Sequence, residues 1–361
     1  RVRNFKMDEK KQKKISFFIG GMTRGGAERV ISILANHYNE LGWDVDIVLL
    51  LQDNVDYKLD ANINIVSMVR KGNYVKAAPK WLLDIRKYLK KRKPDRIVSF
   101  VGRINILVLT AKFGLKIKTI ISERNDPRHD GRGKLITAYG NLIYRTADCI
   151  VYQTQYEKSC FPKNLEKKSR IIVNPVSVKT QAHDTQKHCV VTAGRLLPQK
   201  NQALLIDAVS KLKSKYQDIH LTIYGEGNLK EQLESQVKRL GLEDNVTLPG
   251  NVPDLHERIA SAEIFVMTSE FEGMSNALIE AMMIGLPCIT TDYSGSDEVI
   301  KDGYNGLVTP RNNVKAMSEA IEKLFTNTDF KNEILVNSKT ESKRYMSEEV
   351  LKKWDSVISN I

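Results

Sequence analysis

At 361 residues the chain exceeds one ordinary domain, and its 42% hydrophobic and 27% charged content fits folded α/β domains rather than a disordered or repetitive polymer. The formal charge of +13 is unevenly held: residues 1–180 carry 36 Lys and Arg against 17 Asp and Glu, a net +19, while residues 181–361 carry 20 against 26, a net −6. An anionic partner is expected for the first half, and the longest apolar run, over 97–113, is broken by Arg103 too early to span a membrane.

Residues 1–14 are charge-dense and lack the apolar core of a signal peptide, which predicts a cytoplasmic chain; Met7 reads as the native start, with 1–6 added ahead of it. A strand (15–19), a glycine-rich turn, a helix (27–41) ending near Gly42 and a strand (45–51) then form one βαβ unit. Strands over 63–66, 96–100, 119–122 and 149–153, with helices between them, complete a doubly wound domain over 15–175. Residues 176–187 are polar and aperiodic and predict a linker. The alternation then restarts: strands at 188–193, 220–224, 245–248, 264–268 and 287–291 are interleaved with helices at 202–215, 229–240, 255–262 and 276–284. This predicts a second Rossmann-like domain over 188–345, closed by an amphipathic helix within 346–361 that packs back on the first. Two doubly wound parallel-sheet domains bind ligands at the carboxyl ends of their strands, so the site is expected in the cleft between them. Cys149, Cys160, Cys189 and Cys288 are scattered without a metal-binding spacing and read as reduced, structural thiols.

Four turns carry the chemistry. In Glu-Gly-Met-Ser-Asn-Ala-Leu-Ile-Glu over 272–280, Ser275 or Asn276 can cap a helix whose first amides and positive dipole end meet a diphosphate. Glu280, just inside that helix, suits ribose hydroxyls, and Glu272 in the turn lies nearer a sugar; a capped surface helix with two solvated acids is the alternative. Gly194 to Asn201 sets Arg195 and Lys200 between a strand and a helix, placed either to neutralise a diphosphate or simply to be solvated. Gly20, Gly21, Gly25 and Gly26 allow close backbone approach to a ligand, in a pattern that is not the G-x-G-x-x-G of nicotinamide binding. The turn Gly225-Glu226-Gly227 passes beside a nucleotide or is a simple tight turn.

Together these elements resemble, over nearly the whole chain, the GT-B glycosyltransferases of the large retaining family four, which includes bacterial capsule, lipopolysaccharide and N-glycan assembly enzymes. The most specific parts are the E-x7-E segment running into Glu-Ala-Met-Met-Ile-Gly-Leu-Pro over 280–287, the Gly-Arg-Leu…Lys segment over 194–200, and Gly-Gly-Ala-Glu-Arg over 25–29. The resemblance implies that Arg195 and Lys200 bind the donor diphosphate and Glu280 the ribose. Glu272, with the backbone of Gly273, Met274, Ser275, Asn276 and Ala277, would hold the sugar and its phosphate. Gly250, Asn251 and Val252 would meet the base, and Gly25 and Gly26 would close the cleft. It further implies a nucleotide diphosphate sugar as donor (UDP by family habit, carrying a hexose or N-acetylhexosamine), retention of anomeric configuration, and neither cofactor nor metal. Arg195, Lys200 and Glu272 are the expected catalytic groups. One departure stands out: relatives often place a histidine after the strand at 119–122, where this chain reads Ser-Glu-Arg-Asn-Asp over 122–126, with Arg124 in that place. Glu123, Arg124, Asn125, Arg103 and Asn105 are candidate acceptor contacts.

The segment 81–93 has apolar residues at helical spacing and a cationic end of Arg86, Lys87, Lys90, Lys91, Arg92 and Lys93. It suits either an anionic membrane surface or an ordinary core-facing helix. With the +19 half it leads to the expectation of a polyprenyl-diphosphate-linked saccharide acceptor, met by a peripheral protein at the inner face of the cell membrane. A UDP-sugar 2-epimerase of the same fold is the alternative. Nucleic-acid binding is disfavoured, because no helix-turn-helix, zinc-knuckle or aromatic RNP-like pattern is present.

Overall fold

The computed structural model describes residues 12–361 apart from Arg24, Lys71, Asn73, His129 and the side chain of Val75. The expectations for 1–11, including the start at Met7, lie outside the described residues. The first domain runs β1 (Lys14–Ile19), α1 (Gly26–Glu40), β2 (Asp44–Leu49), β3 (Asn64–Ser67), α2 (Tyr74–Arg92), β4 (Arg96–Phe100), α3 (Gly102–Lys112), β5 (Lys118–Ser122), α4 (Lys134–Ile143), β6 (Cys149–Tyr152), α5 (Gln155–Ser159) and β7 (Ser169–Ile171). Its seven strands are all parallel in the order β3-β2-β1-β4-β5-β6-β7. The second domain runs β8 (Cys189–Ala193), α6 (Gln202–Leu212), β9 (His220–Tyr224), α7 (Lys230–Arg239), β10 (Val246–Gly250), α8 (Leu255–Ala260), β11 (Ile264–Met267), α9 (Asn276–Ile284), β12 (Cys288–Thr291), β13 (Leu307–Thr309), α10 (Val314–Thr326), α11 (Thr328–Ser342) and finally α12 (Ser347–Asn360). Its sheet, also parallel, has the order β10-β9-β8-β11-β12-β13. The expected pair of doubly wound domains is what the chain forms.

Helices cover both faces of each sheet, so central strands are apolar on both sides. Phe17 of β1 joins the core beneath α1, while its neighbour Phe18 points the other way into the core under α2 and α3. Val190 and Val191 of β8 divide in the same manner. Strand order reverses at β1 and at β8, and the loops leaving these two strands, 20–25 and 194–201, face each other across the cleft.

The stretch 176–187 is irregular but tied down: the Ala182, His183 and Gln186 amides donate to Ile284, Ala260 and Ser261 carbonyls at 2.8, 3.1 and 2.8 Å. Helix α12 returns to the first domain, where Val350, Trp354 and Ile358 are buried in the core beneath α1. Trp354 stacks on Phe100 at 5.9 Å, and Arg96 donates to the Ile358 and Ile361 carbonyls at 2.9 and 2.7 Å.

The lipid-facing reading of 81–93 is corrected by α2. Its apolar face, with Trp81, Ile85 and Leu89, is buried in the first domain's core and unavailable to a membrane. Arg92 is spent on Asp44 and Asp46, and Arg86 donates to the Ala111 and Phe113 carbonyls at 2.8 Å. Lys87, Lys90, Lys91 and Lys93 remain exposed. Asp44 and Asp46 lie at the amino end of their strand, at the opposite end from the cleft, and both pair with Arg92. Among the described residues no helix is long and apolar enough to cross a membrane.

Candidate active site between the two sheets

A cavity of 780 Å³ lies between the carboxyl ends of the two sheets, lined from the first domain by Gly20, Gly21, Thr23, 25–28, Arg103, Arg124, Asn125 and Asn174, and from the second by 193–195, Gln199, Lys200 and 271–277. A second hollow of 460 Å³ is lined by Arg29, Tyr57, Arg195, Gly225, Asn251 and Glu280, among others. Gly25, Gly194, Arg195, Asn276 and Ala277 line both. The arrangement therefore divides into one space beside Lys200 and Glu272 and another beside Glu280.

Helix α9 begins at the centre. The Ser275 hydroxyl caps it by accepting from the Leu278 amide at 3.5 Å, as the sequence suggested, and Asn276 is the first helical residue. The leading amides of an α-helix have no intrahelical acceptor, so this terminus offers donors and a positive dipole end to the cavity. The preceding turn is held by contacts that only small residues permit. A Cβ on Gly273 would stand 2.8 Å from Gln153 Oε1 and 2.9 Å from the Arg124 carbonyl, both in the other domain.

Glu272 is buried, ion-paired with Lys200, and accepts the Ser269 hydroxyl at 2.7 Å. Lys200 is held from behind by its own backbone carbonyl, which accepts from Thr268 Oγ1 at 2.8 Å. The loop bearing Lys200 is stitched to the turn before Glu272: the Glu270 amide donates to the Gln199 carbonyl at 2.8 Å, and Gln199 Nε2 to the Phe271 carbonyl at 2.7 Å. Arg195 is exposed within the cleft and near enough to Glu28 to oppose the upward shift that burial gives that carboxyl. The two cations thus occupy different settings, Lys200 fixed and Arg195 free to swing.

Glu280 is engaged from two sides, by Arg29 of α1 and by His256 of α8 at 3.1 Å. Burial pushes its carboxyl up, but His256 and Arg29 outweigh burial and hold it below its ordinary value. The Arg29 contact joins the two domains, as does Asn174 Nδ2 donating to Asn276 Oδ1 at 2.7 Å. Arg29, His256, Asn174 and Gln153 were not singled out as site residues. Only Arg29 had a signal, as the last residue of Gly-Gly-Ala-Glu-Arg.

Gly225, Asn251 and Val252 line the second hollow, whereas Glu226 and Gly227 line neither space. Gly225 sits at φ +136°, and a Cβ there would run into the Gly194 carbonyl; one on Gly227 would run into that of Leu196. The two glycines let this turn pack beneath the Arg195 loop, where the Leu196 amide donates to the Glu226 carbonyl at 2.9 Å. Glu226 itself faces Lys230 at 3.4 Å.

The first-domain candidates also separate. Arg103 and Asn125 are exposed in the cavity, and Arg103 donates to the Gly131 carbonyl at 2.6 Å. Asn105 and Glu123 do not reach it, which corrects their reading as acceptor contacts. Asn105 is fully buried and spends its amide on the Ser122 carbonyl at 3.0 Å, and Glu123 is buried against Tyr144. Burial raises the Glu123 carboxyl against the opposing Arg132 charge.

Arg124 lines the cavity but is only 6% exposed, clamped by Phe100 and Trp354 at 4.8 and 5.7 Å. Its Nη1 donates to Asn174 Oδ1 at 2.7 Å, while Nε and Nη2 are buried without a partner. Burial pushes the nearby Glu157 carboxyl upward, and the guanidinium stays charged across the neutral range. Among the described residues no group of three or more His, Cys, Asp and Glu is arranged to hold a metal ion.

Two family models match the chain, one for a glycosyl transferase 4-like domain over residues 25–176 and one for glycosyl transferases group 1 over residues 175–341. GalNAc-alpha-(1->4)-GalNAc-alpha-(1->3)-diNAcBac-PP-undecaprenol alpha-1,4-N-acetyl-D-galactosaminyltransferase from Campylobacter jejuni is 26% identical over 359 residues, covering 96% of this chain and 99% of that protein. N-acetylgalactosamine-N,N'-diacetylbacillosaminyl-diphospho-undecaprenol 4-alpha-N-acetylgalactosaminyltransferase from the same organism is 27% identical over 354 residues, covering 92% and 95%. Among solved structures, Anabaena Alr3699/HepE in complex with UDP matches with a TM-score of 0.80 at 18% identity, over 97% of this chain and 100% of that one. Likeness at that level is likeness of fold.

Proposed function

The chain belongs to the glycosyl transferase group 1 family and has the GT-B fold, and from that membership we propose that it transfers a hexose or N-acetylhexosamine from a UDP-sugar to a lipid-linked saccharide, with retention and without a metal ion. The observation that carries this reading is the convergence of the α9 amino terminus, Arg195, Lys200 and two buried carboxylates on one cleft between the domains. UDP as the nucleotide is supported by the UDP bound to the HepE neighbour, and a polyprenyl-diphosphate acceptor by the undecaprenol-linked substrates in the names of the two Campylobacter relatives. Such an acceptor would bring the protein to the inner face of the cell membrane as a peripheral enzyme.

In this reading the diphosphate lies over the α9 terminus between Arg195 and Lys200. These groups stabilise the negative charge that grows as the anomeric carbon–oxygen bond breaks, which is the main catalytic task of such a site. Glu280 accepts hydrogen bonds from the ribose hydroxyls. Glu272, positioned by Lys200 and Ser269, accepts from hydroxyls of the sugar. The acceptor hydroxyl attacks from the face the diphosphate leaves and gives its proton to a departing phosphate oxygen. The new glycosidic bond thereby keeps the donor's configuration, and UDP is released.

The test is a panel of UDP-, GDP- and ADP-sugars scored by thermal shift and by nucleotide release with and without polyprenyl-diphosphate saccharides. Selective stabilisation by a UDP-sugar, lost in Glu280→Ala, and acceptor-dependent release reduced about a hundred-fold in Lys200→Ala are expected. Proton NMR of the product then reads the anomer. A folded protein stabilised by no nucleotide sugar would overturn the reading, and acceptor-independent epimerisation at C2 would replace it with the epimerase.

A further inference from the structure

Helix α4 is the least covered apolar element of the first domain. Leu135, Ile136, Tyr139 and Leu142 are exposed by 87, 44, 42 and 57%. Leu135, Tyr139 and Leu142 fall at i, i+4 and i+7, so they form one stripe with Ile136 beside it. Only Gly140 and Ile143 of this helix are buried, and a Cβ on Gly140 would stand 3.0 Å from Ile106 of α3, which shows how the helix is seated. Tyr139 meets Thr110 of α3 at 2.9 Å, one turn before Phe113, itself 65% exposed. An aliphatic and aromatic stripe of this extent is unusual on a soluble surface and marks an interaction face.

Its surroundings define the partner. Lys134 begins the helix and exposed Arg145 follows it. Lys168 donates to the Arg145 and Ala147 carbonyls at 2.7 and 2.9 Å, and Lys118 stands beside it, 3.2 Å from Asp148, the acid of this cluster. At the other end, the loop before α4 starts in the cavity wall, where Arg103 bonds the Gly131 carbonyl at 2.6 Å. An apolar stripe between two cationic ends, on a half-chain of net +19, is complementary to an anionic bilayer: side chains enter the acyl boundary while cations meet headgroups.

We propose that α4 is the membrane-docking helix of this protein, which seats the first domain on anionic lipid with the mouth of the cleft beside the bilayer surface. This rests on the lipid-linked acceptor argued above and assigns the contact to a helix other than α2, whose apolar face is buried. A diphosphate-linked saccharide projecting from the bilayer then reaches the Arg103 and Asn125 wall without leaving the membrane.

Flotation of the full chain with phosphatidylethanolamine–phosphatidylglycerol vesicles, against phosphatidylcholine alone, tests this. The wild type is expected to float with the anionic vesicles. Leu135→Gln/Leu142→Gln lowers the partition coefficient about ten-fold or more, and Lys134→Gln/Arg145→Gln lowers it about five-fold per cation at low salt. Val336→Gln, at a position 68% exposed on α11 of the other domain, leaves it unchanged. Thermal shift with UDP-sugar on the same samples separates this proposal from the donor site: a normal shift in a protein that ignores anionic vesicles overturns the docking helix alone. Equal partition of wild type and Leu135→Gln/Leu142→Gln also overturns it. So does sedimentation showing a dimer that the same pair of substitutions dissolves, which would give the stripe to a second copy of the chain.

Discussion

Glu280 offers the sharpest test of the donor site, because its charge depends on two partners from different elements. Burial alone would lift its carboxyl above the ordinary 4.5, and His256 and Arg29 together reverse that shift. Replacing both, in Arg29→Gln/His256→Gln, leaves burial unopposed, and the pKa is expected to rise above the ordinary carboxylate value. If the ionised carboxylate holds the ribose, wild-type affinity for a UDP-sugar stays flat from about pH 7.5 down to about 5. In the double variant it weakens about ten-fold for each unit below the raised pKa. Isothermal titration with the UDP-sugar rather than UDP is the assay, since the sugar diester carries no phosphate that titrates in this range. Stability separates the two proteins as well. A carboxyl held below its unfolded-state value contributes stability that is fully present above that value and lost as pH falls through the folded-state pKa. In the double variant the sign reverses: a carboxyl raised above its unfolded-state value costs stability at neutral pH and that cost is relieved as pH falls, so acidification should lower the unfolding temperature of the wild type relative to that of the variant. Parallel binding profiles for the two proteins would refute the assignment of Glu280 to the ribose through its ionised form.

Three further outcomes follow from the packing. Trp354→Ala empties the site where α12 stacks on Phe100 and clamps Arg124, and should cost about 3–5 kcal/mol of stability by denaturant unfolding, with Trp354→Phe recovering most of it. Gly225→Ala forces a side chain against the Gly194 carbonyl and should raise the donor KM about ten-fold by displacing the Arg195 loop; Gly241→Ala, facing open space at φ +63°, should cost about 1 kcal/mol of stability and leave KM unchanged. Asn105→Ala removes one of the two hydrogen bonds to the Ser122 carbonyl, the other coming from the Val101 amide, and should destabilise by about 0.5–1.5 kcal/mol, with kcat of the folded enzyme unaltered, as expected of a residue outside the cleft.

The two-domain alternation was legible because strands covered on both faces are nearly continuous apolar runs, as 15–19 and 190–193 are but for Ser16 and Thr192, and because each run is followed by glycine or a helix start. Between residue 291 and the closing helix no element was read. Strand β13 has three residues, and α11 distributes Ile334, Leu335 and Val336 around its circumference instead of along one stripe. Helix α10 did carry the signal, in Val314, Met317, Ile321 and Leu324 at helical spacing. Within the site, residues on turns that follow strands, and one just inside the helix after such a turn, were legible as chemistry: Arg195, Lys200, Glu272 and Glu280 all reach one of the two spaces. What could not be read was direction. Asn105 and Arg103 lie two residues apart on α3, yet one faces the core and the other the cavity, and that difference is set by how α3 sits on the sheet. Arg29 and Glu280 are 251 residues apart, so their pairing exists only once both domains have folded and met.

These pairings bear on how the cleft tolerates so much charge. Glu272 and Glu280 each have a cation, Lys200 from the same domain for the first and Arg29 from the other domain for the second, with His256 as a further partner of Glu280. A buried charge without a partner is costly, so a diphosphate entering this space cannot simply add two negative charges to it. It can draw on Arg195, exposed in the cleft, and on Lys200, which is already engaged. Lys200 can turn from Glu272 toward phosphate and leave that carboxylate facing the sugar, a change confined to one domain. Ribose hydroxyls reaching Glu280 displace or share the Arg29 contact, which is also a contact between domains. In the proposed reading, donor binding is therefore coupled to how the domains meet at α1 and α9. Asn174 and Asn276, bonded beside the same helix terminus, carry no charge that the ligand displaces and can hold the domains together while Arg29 moves. Asn174→Ala should accordingly loosen the empty and the donor-bound protein alike, whereas Arg29→Gln should loosen the empty protein more, and amide hydrogen exchange across the 20–29 and 272–280 turns distinguishes the two.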